Sequence, residues 1–154
     1  MEIVKWAPFR ELDPQDCLPL LGQVSIGRIV YTDQALPAVL PVNFSLDHDF
    51  SVLLRTSAAS RVARAVDQAV VAFEADRFDE AAGTGWSVVV MGSAILVTDP
   101  GERERLLRTG PRSWAPVSDA VFIRIPPELV TGRVVDRNAF PSDGRVSHEQ
   151  QSAP

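Results

Sequence analysis

The sequence predicts a mainly β protein that forms one closed or nearly closed antiparallel barrel. Three observations predict this class. Valine and isoleucine recur at alternate positions in short runs, polar turns separate those runs, and only two or three short segments carry helix start and stop signals. The chain has 154 residues, 45% of them hydrophobic, which is enough for one core and too few for two ordinary domains. We expect a single domain over residues 1–137 and a disordered tail over residues 138–154, where the composition turns polar and aperiodic.

Composition excludes several classes of protein. The formal net charge of -5 argues against the broad basic face that nucleic acid needs. No apolar run approaches the roughly 20 residues of a membrane span, and the start lacks the apolar core of a signal peptide, so we expect a cytoplasmic protein. The single cysteine, Cys17, permits no internal disulfide and is expected to be a buried apolar residue, with a reactive thiol as the alternative. Without a cysteine pair or clustered histidines, the sequence offers no metal site.

The first half of the chain predicts a helix followed by three strands. In "ELDPQDCLPLLGQ", Asp13 is a candidate N-cap, Pro14 suits the first helical position and Gly22 is a stop signal. We expect this helix to cover one end of the barrel. "VSIGRIVYT", "ALPAVLPVNFSL" and "FSVLLRT" then predict a three-stranded meander joined by polar turns.

The second half predicts two more helices and the remaining strands. Residues 57–66 indicate an amphipathic helix with Ser57 as its N-cap. "AVVAFEAD" predicts a strand, and "GWSVVVMGSAILVTD" a long strand in which Gly92 indicates a bulge or a barrel corner. Asp99 and Gly110 bound another helix, and "DAVFIRIPPELVTGRVVD" supplies the last strand or pair of strands, interrupted by two prolines.

Four segments follow one another in an informative order: "GRIVYTDQALPAVLPVNFSLD", "VLLRTSAASRVARAV", "VVAFEADRFDEAAGTGWSVVVMGSAILVTD" and "SWAPVSDAVFIRIPPELVTGRVV". Together they resemble the flavin-binding relatives of pyridoxamine 5′-phosphate oxidase over roughly residues 10–136. The resemblance implies a six-stranded antiparallel split β-barrel that forms a homodimer, with FMN held in a cleft at the subunit interface. Because some relatives use a deazaflavin, that cofactor is the alternative.

By this resemblance, the junction between the predicted strand and helix would hold the FMN phosphate. A phosphate needs arginine forks, hydroxyl donors and free backbone N–H groups. The junction provides Arg55, Thr56, Ser57, Ser60 and Arg61. Thr56, Ser57 and Arg61 match the family's early hydroxyl residue and later basic residue, whereas the alanines of "SAAS" depart from the glycine and lysine of many relatives. The alternative is a capped helix with solvated arginines, which is the interpretation we favour for Arg64.

The stretch "PVNF" is the second candidate. Proline cannot donate to a sheet ladder, so Pro37 and Pro41 indicate an edge or bulge where neighbouring backbone groups stay free. The resemblance places Pro41, Val42 and Asn43 along the flavin, with backbone N–H and C=O groups contacting its pyrimidine edge. An edge strand blunted by prolines is the alternative.

The stretch "GWSVVV" is the third candidate. The resemblance places it at the cofactor cleft, where the Trp86 ring could pack beside the cofactor and the Ser87 hydroxyl could donate a hydrogen bond. An ordinary core tryptophan is the alternative for Trp86. Trp114 could border the substrate opening, although simple packing explains it as well.

No acid, base or nucleophile constellation emerges, so the catalytic residues stay unassigned. His48 lies in a predicted turn and His148 in the predicted tail, and Asp76, Asp79 and Glu80 form a charge run typical of a solvated loop. This suits flavin chemistry, because the ring carries hydride or electron transfer while the protein supplies binding. We expect an FMN-dependent oxidoreductase acting on an unknown small substrate. A flavin-binding sensor or carrier without turnover and a deazaflavin-dependent reductase are the alternatives.

Overall fold

Nine strands and three helices form the part of the chain that the computed structural model describes, residues 9–112 and 119–136. The strands are β1 (Phe9–Leu12), β2 (Ile26–Asp33), β3 (Leu36–Leu46), β4 (Val52–Ser57), β5 (Val70–Asp79), β6 (Thr84–Ser93), β7 (Ile95–Leu96), β8 (Ala120–Ile125) and β9 (Leu129–Val135). The helices are α1 (Pro14–Leu21), α2 (Arg61–Val66) and α3 (Pro100–Thr109). None of these three helices is long and apolar enough to cross a membrane. Trp114 and the predicted tail over residues 138–154 lie outside the described residues.

All strands belong to one antiparallel sheet that curls on itself without closing. Its order is β1-β9-β6-β5-β2-β3-β4-β8-β7. The strands β6 and β7 are consecutive pieces of one segment, yet β6 pairs with β5 and β9 whereas β7 pairs with β8 at the far edge. The segment changes partners at Ala94, close to the corner that Gly92 predicts. A Cβ atom added to Gly92 would lie 2.1 Å from the carbonyl oxygen of Pro126, so only glycine fits this close approach.

This architecture confirms the predicted mainly β, antiparallel split barrel. The expected number of six strands is too low for the described residues, because the short strands β1 and β7 carry little periodic signal and the last segment forms two strands, β8 and β9. Alternation along the strands places one face of the sheet inside the barrel. There the rings of Phe44 and Phe73 pack edge to face with centroids 4.7 Å apart, within a core that also buries Ile29 and Val88.

Helix α1 covers one end of the barrel, as predicted. Asp13 precedes it, Pro14 occupies its first turn and Gly22 ends it. The helix packs against β9 and β6 and carries the fully buried Cys17 into the core. A Cβ atom on Gly132 of β9 would lie 2.4 Å from the Cys17 Sγ, so the glycine makes room for the thiol. Burial raises the pKa of this thiol, and the carboxylates of Asp16 and Asp13 raise it further.

Helix α2 begins later than the sequence predicts. Strand β4 continues through Ser57, which pairs with Ala120 of β8, so Ser57 is extended and is not the N-cap. The N-cap is Ser60, whose Oγ accepts a hydrogen bond of 3.1 Å from the Ala63 N–H. The pairing of β4 with β8 therefore decides between two serines that are both suitable caps. The helix lies across the end of the barrel opposite α1, against β2 and β4.

A network of ion pairs joins α3 to the sheet at the turn between β3 and β4. The carboxylate of Asp47 is 6% exposed and lies 2.9 Å from Arg124 and 3.0 Å from Arg105. Arg124 and Arg105 both also pair with Glu102 of α3. Burial raises the pKa of Asp47, but hydrogen bonds from Arg105, the His48 N–H and Arg124 outweigh burial and hold that pKa well below its usual range.

Because the folded protein lowers the pKa of Asp47, its ionised form stabilises the fold above the ordinary aspartate pKa, and this stabilisation is lost as the pH falls toward the lower folded value. We expect Asp47→Asn to lower the free energy of unfolding by roughly 2 kcal/mol at neutral pH, since two arginines lose a charged partner. The variant should also lose less stability than the wild type below about pH 4. Urea unfolding across pH 3–7 measures both effects. Glu104→Gln is the control, because Glu104 and Arg108 form a pair that is 73% and 70% exposed. Equal effects of the two substitutions would contradict this account of the network.

Candidate cofactor-binding site

The open edge of β3 is the first feature of the site. Strand β3 pairs with β2 along residues 36–43 and beyond, but it pairs with β4 only at Phe44, Ser45 and Leu46. The Phe44 N–H donates to the carbonyl of Ser25, on the β2 side. Since backbone groups alternate along an antiparallel strand, the backbone at odd-numbered positions from 37 to 43 faces the open edge. Pro37 and Pro41 occupy two of these positions, which confirms the predicted edge.

The predicted residues Val42 and Asn43 lie differently on this edge. Val42 stands opposite Gly27 at a position whose backbone groups face β2, and its side chain packs against the core. The backbone N–H and C=O of Asn43 face the open edge. Its side-chain Nδ2 donates to the carbonyl of Arg112 at 3.0 Å. Asn43 and Pro41 therefore offer backbone groups to a ligand, whereas Val42 offers mainly part of its side chain.

The loop between β4 and α2 gathers the predicted hydroxyl groups. Thr56 Oγ1 donates to Ser60 Oγ at 2.9 Å, and Ser60 Oγ also accepts from the Ala63 N–H. Ser57 Oγ accepts from the Ala59 N–H at 3.3 Å. Because Ser60 Oγ already accepts two hydrogen bonds, its own proton is available to an acceptor. Three side-chain hydrogen bonds thus fix the loop, and the hydroxyl protons of Ser57 and Ser60 remain for a ligand.

Arg55 is a partly buried charged residue near the end of β4. Its Nε atom is buried without a hydrogen-bond partner among the described residues, and its guanidinium lies 5.9 Å from the centre of the Phe122 ring. A buried donor without an acceptor is costly, so such a group indicates a missing partner. Because side chains alternate along β4, Arg55 points with Leu53 and Phe122 to the face near α3, whereas Thr56 points to the opposite face. The residues that together fit a phosphate group are therefore Thr56, Ser60 and Arg61, without Arg55.

Arg61 and Arg64 extend from α2 toward the turn between β2 and β3. The side chain of Arg61 is 86% exposed and lies 3.8 Å from Asp33. Arg64 is also exposed, as expected, but it lines the same small cavity as Arg61 and Asp33. The helix has six residues, so its dipole is small and the side chains carry most of the positive charge.

Trp86 and Ser87 are consecutive residues of β6, and their side chains point to opposite faces of the sheet. Trp86 is 7% exposed, belongs to the core and borders a cleft of about 690 Å³ beside α1. The partly exposed Ser87 lies on the outer face, opposite Asp76 and Arg133. The two side chains therefore cannot approach one group from the same side.

The sheet register also separates Trp86 from Arg61. Glu74 of β5 stands opposite Arg28 of β2 and Val89 of β6, so these residues mark one level across the three strands. Asp33, the partner of Arg61, lies five residues from this level toward one end of the barrel. Trp86 lies three residues from it toward the other end. The two ends are eight residues apart, about 26 Å along the strands at 3.3 Å per residue. Within one subunit, Trp86 and Arg61 thus belong to opposite ends of the barrel.

A pair of carboxylates on the outer face was not predicted. Asp76 is not in a solvated loop but in β5, where Arg28 Nη1 lies 3.3 Å from Asp76 and 3.0 Å from Glu74. Asp79 also lies in β5, as its last residue, and Asp79 and Glu80 are both exposed. Burial, followed by the neighbouring Asp76, raises the pKa of Glu74 to about 7, and Arg28 only partly opposes this rise. The apolar surroundings of Glu74 in "VVAFEAD" give no local signal of its partners.

The fold and the loop define a class of protein, an open antiparallel barrel with a loop of hydroxyl and arginine side chains beside the unpaired edge of one strand. The model of the pyridoxamine 5′-phosphate oxidase family matches residues 13–134. The chain belongs to this family.

Relatives and solved structures share most of the chain. The uncharacterized protein Rv0080 of Mycobacterium tuberculosis is 41% identical over 137 residues, which cover 85% of this chain and 89% of that protein. The FAD binding protein from Mycobacterium smegmatis is 32% identical with a TM-score of 0.71, covering 82% and 98% of the two chains. A conserved protein of unknown function from Corynebacterium diphtheriae is 35% identical with a TM-score of 0.69, covering 83% and 98%.

Because the pKa of Glu74 is raised in the folded protein, its protonated form stabilises the fold at low pH, and this stabilisation is lost as the pH rises from the ordinary glutamate value toward about 7. We expect Glu74→Gln to flatten the pH dependence of stability in that window. The gain in stability of the variant over the wild type should be largest near pH 8. Thermal unfolding between pH 5 and 8 measures this. Glu104→Gln should keep the wild-type slope, and parallel curves for all three proteins would show that Glu74 titrates normally.

Proposed function

We propose that the protein is a flavin-binding homodimer that uses FMN as an FMN-dependent oxidoreductase acting on a small substrate. The observation that carries this proposal is the group of polar side chains where β4 leads into α2, in which Thr56 Oγ1 donates to Ser60 Oγ immediately before the exposed Arg61. Membership of the pyridoxamine 5′-phosphate oxidase family and the FAD binding protein from Mycobacterium smegmatis support a flavin as the ligand. The expected location is the cytoplasm.

The residues of the loop would bind the phosphate, and the open edge of β3 would orient the ring. Arg61 supplies a charged donor, and Ser60 supplies a hydroxyl whose proton is available. Thr56 and Ser57 hold the shape of the loop through their own hydrogen bonds. At the edge, the backbone groups of Pro41 and Asn43 can pair with the polar rim of the ring. The bound flavin would supply hydride or electron transfer, and the protein would supply position and electrostatics.

A second subunit would complete this site. Trp86 lies about 26 Å and Ser87 about 23 Å along the strands from Arg61, farther than one FMN extends, so they can contribute only if a partner brings its own copies to the loop. The outer face of the sheet supports association. Val39, Val30, Ala72, Met91 and Leu129 follow one another across five strands at a single level of this face. Three of them, Val39, Met91 and Leu129, are 62%, 39% and 55% exposed, an apolar row that a second copy could cover.

The homodimer is tested by light scattering of the purified full-length chain at micromolar concentration. We expect twice the mass of one chain and two equivalent cofactor sites, because a two-fold interface repeats each surface on both subunits. Met91→Glu, in the middle of the apolar row, should shift the mass toward the monomer. Ile95→Glu is the matched control, since Ile95 is 45% exposed on the short strand β7, outside that row. A monomer mass for the wild type would contradict the dimer and the shared site.

The phosphate site is tested with Arg61→Ala. Loss of one charge-assisted contact of roughly 1.5–3 kcal/mol should weaken FMN binding about tenfold to hundredfold. Riboflavin, which lacks the phosphate, should bind the variant and the wild type almost equally, and Arg64→Ala should bind FMN like the wild type. Quenching of flavin fluorescence during titration of the apo-protein measures these affinities. An equal loss for FMN and riboflavin, or none for either, would show that residues 55–61 only cap a helix.

The proposed chemistry is tested on the protein as it is purified. The absorbance spectrum and mass of the copurifying ligand should identify FMN, and a deazaflavin would instead give a different mass and spectrum. Turnover with a reduced nicotinamide and an electron acceptor should follow. A flavin without turnover would leave a sensor or carrier in place of the oxidoreductase.

A further inference from the structure

A charged cluster lies on the outer face of the sheet, beside the apolar row. In this outer-face cluster, Arg28 Nη1 lies 3.0 Å from Glu74 and 3.3 Å from Asp76. Arg28 and Glu74 stand opposite each other, two residues along their strands from Val30 and Ala72 of the row. Two residues of a strand span about 7 Å, so a partner that covers the row also reaches the cluster.

The outer-face cluster contains one cation and two carboxylates. When all three groups are ionised, one negative charge is left without a compensating cation. The side chains are only partly exposed, and burial together with Asp76 raises the pKa of Glu74 to about 7 although Arg28 opposes this rise. A proton on Glu74 removes the excess charge and leaves one balanced ion pair between Arg28 and Asp76.

Among the described residues, the neighbouring strands supply no second cation to Glu74. On β6, the outer-face neighbours of the cluster are the uncharged Val89 and Ser87. The next strand, β9, places Arg133 opposite Ser87, and the edge strand β1 places Glu11 opposite Arg133. The charge of Arg133 thus already has a carboxylate beside it, two strands away from β5.

One side of the cluster is open to water in a single chain. Arg28 and Asp76 border a cleft of about 590 Å³ whose other lining residues, at positions 22–26, are all uncharged. Water in this cleft stabilises the ionised carboxylates and lets protons exchange with the solvent. The cluster therefore titrates freely as long as nothing covers the face.

A second copy of the chain on this face makes the excess charge more costly. It displaces water from the cluster, and loss of water penalises an ionised carboxyl group more than a neutral one. A two-fold interface also repeats the cluster on both subunits, so the assembled face carries two such charges. Both effects favour association when Glu74 is protonated and oppose it when Glu74 is ionised.

We propose that this face joins two copies of the chain through an interface that takes up a proton at Glu74 of each subunit, so that the dimer dissociates more readily as the pH rises. The apolar row supplies the attraction, and the outer-face cluster sets its pH dependence. This inference rests on the proposed homodimer and specifies the condition under which it forms.

The direction of the pH dependence follows from linkage. The pKa of Glu74 is about 7 in a single chain, and association raises it further. The dimer therefore binds more protons than two separate chains at pH values above about 7, and its dissociation constant rises with pH in that range. Well below pH 7, Glu74 is protonated in both states and the dissociation constant is constant.

The test is sedimentation equilibrium of the purified full-length chain at constant ionic strength between about pH 6 and pH 9. For the wild type we expect the dissociation constant to rise about tenfold to hundredfold over this range, which corresponds to about half to one pKa unit at each of the two Glu74 residues. Glu74→Gln should give a constant value close to that of the wild type at the acidic end. Asp76→Asn should also flatten the curve, because Arg28 and Glu74 then balance each other.

Glu104→Gln is the matched control, because it removes the same charge from the chain at an exposed carboxylate on α3. It should keep the wild-type pH dependence. A wild-type dissociation constant that does not change with pH would overturn the inference, and so would an unchanged pH dependence in Glu74→Gln. Both outcomes would leave the proposed homodimer and flavin site intact. A monomer mass at every pH would contradict the proposed homodimer, and this inference would fail with it.

Discussion

The structure depends on one constraint, the missing N–H groups of Pro37 and Pro41. Both prolines stand at positions of β3 whose backbone faces away from β2, so the strand pairs fully on one side and cannot form a regular ladder on the other. Strand β4 therefore pairs with β3 only at the last three residues of β3, whereas it pairs with β8 along its whole length. The barrel stays open along residues 36–43 because a continuous second ladder is not available there.

The loop between β4 and α2 follows from this opening. Once β4 leaves β3, the chain has to cross the end of the barrel to reach β5, and α2 makes that crossing. The turn before α2 brings the hydroxyl groups of Thr56 and Ser60 together, directly before Arg61. The same crossing places Arg61 beside Asp33 at the end of β2. The gap in the sheet and the charged loop beside it thus both result from the separation of β4 from β3.

Much of this fold is visible in the sequence because its signals are local. Alternating valine and isoleucine mark the strands, and the pairs Asp13 with Gly22 and Asp99 with Gly110 mark α1 and α3. The start of α2 is not visible, because Ser57 and Ser60 are equally good caps and a strand 63 residues after Ser57 decides between them. These local signals identify the type of each element well, but they do not decide which of two neighbouring residues begins it.

The candidate site likewise contains some residues that the sequence identifies and others that it does not. The hydroxyl groups and arginines of the loop are consecutive in sequence, so they could be named as a group before the structure was known. The outer-face cluster of Glu74, Asp76 and Arg28 could not, because Arg28 is 46 residues from Glu74 and only the register of β2 against β5 brings them together. Trp86 and Ser87 are adjacent in sequence, yet the strand sends them to opposite faces. Whether the predicted site residues bind a cofactor stays a prediction.

The closure of the other end of the barrel has a chemical consequence. Cys17 Sγ is enclosed by α1 and the space above Gly132, and it approaches the carbonyl of Leu12 at 3.8 Å. Thiolate is the reactive form of cysteine, and a raised pKa keeps little of it at neutral pH. A thiol reagent reaches this sulfur only when α1 separates from β9. The rate at which Cys17 is modified therefore reports how often α1 lifts from the sheet and opens that end of the barrel.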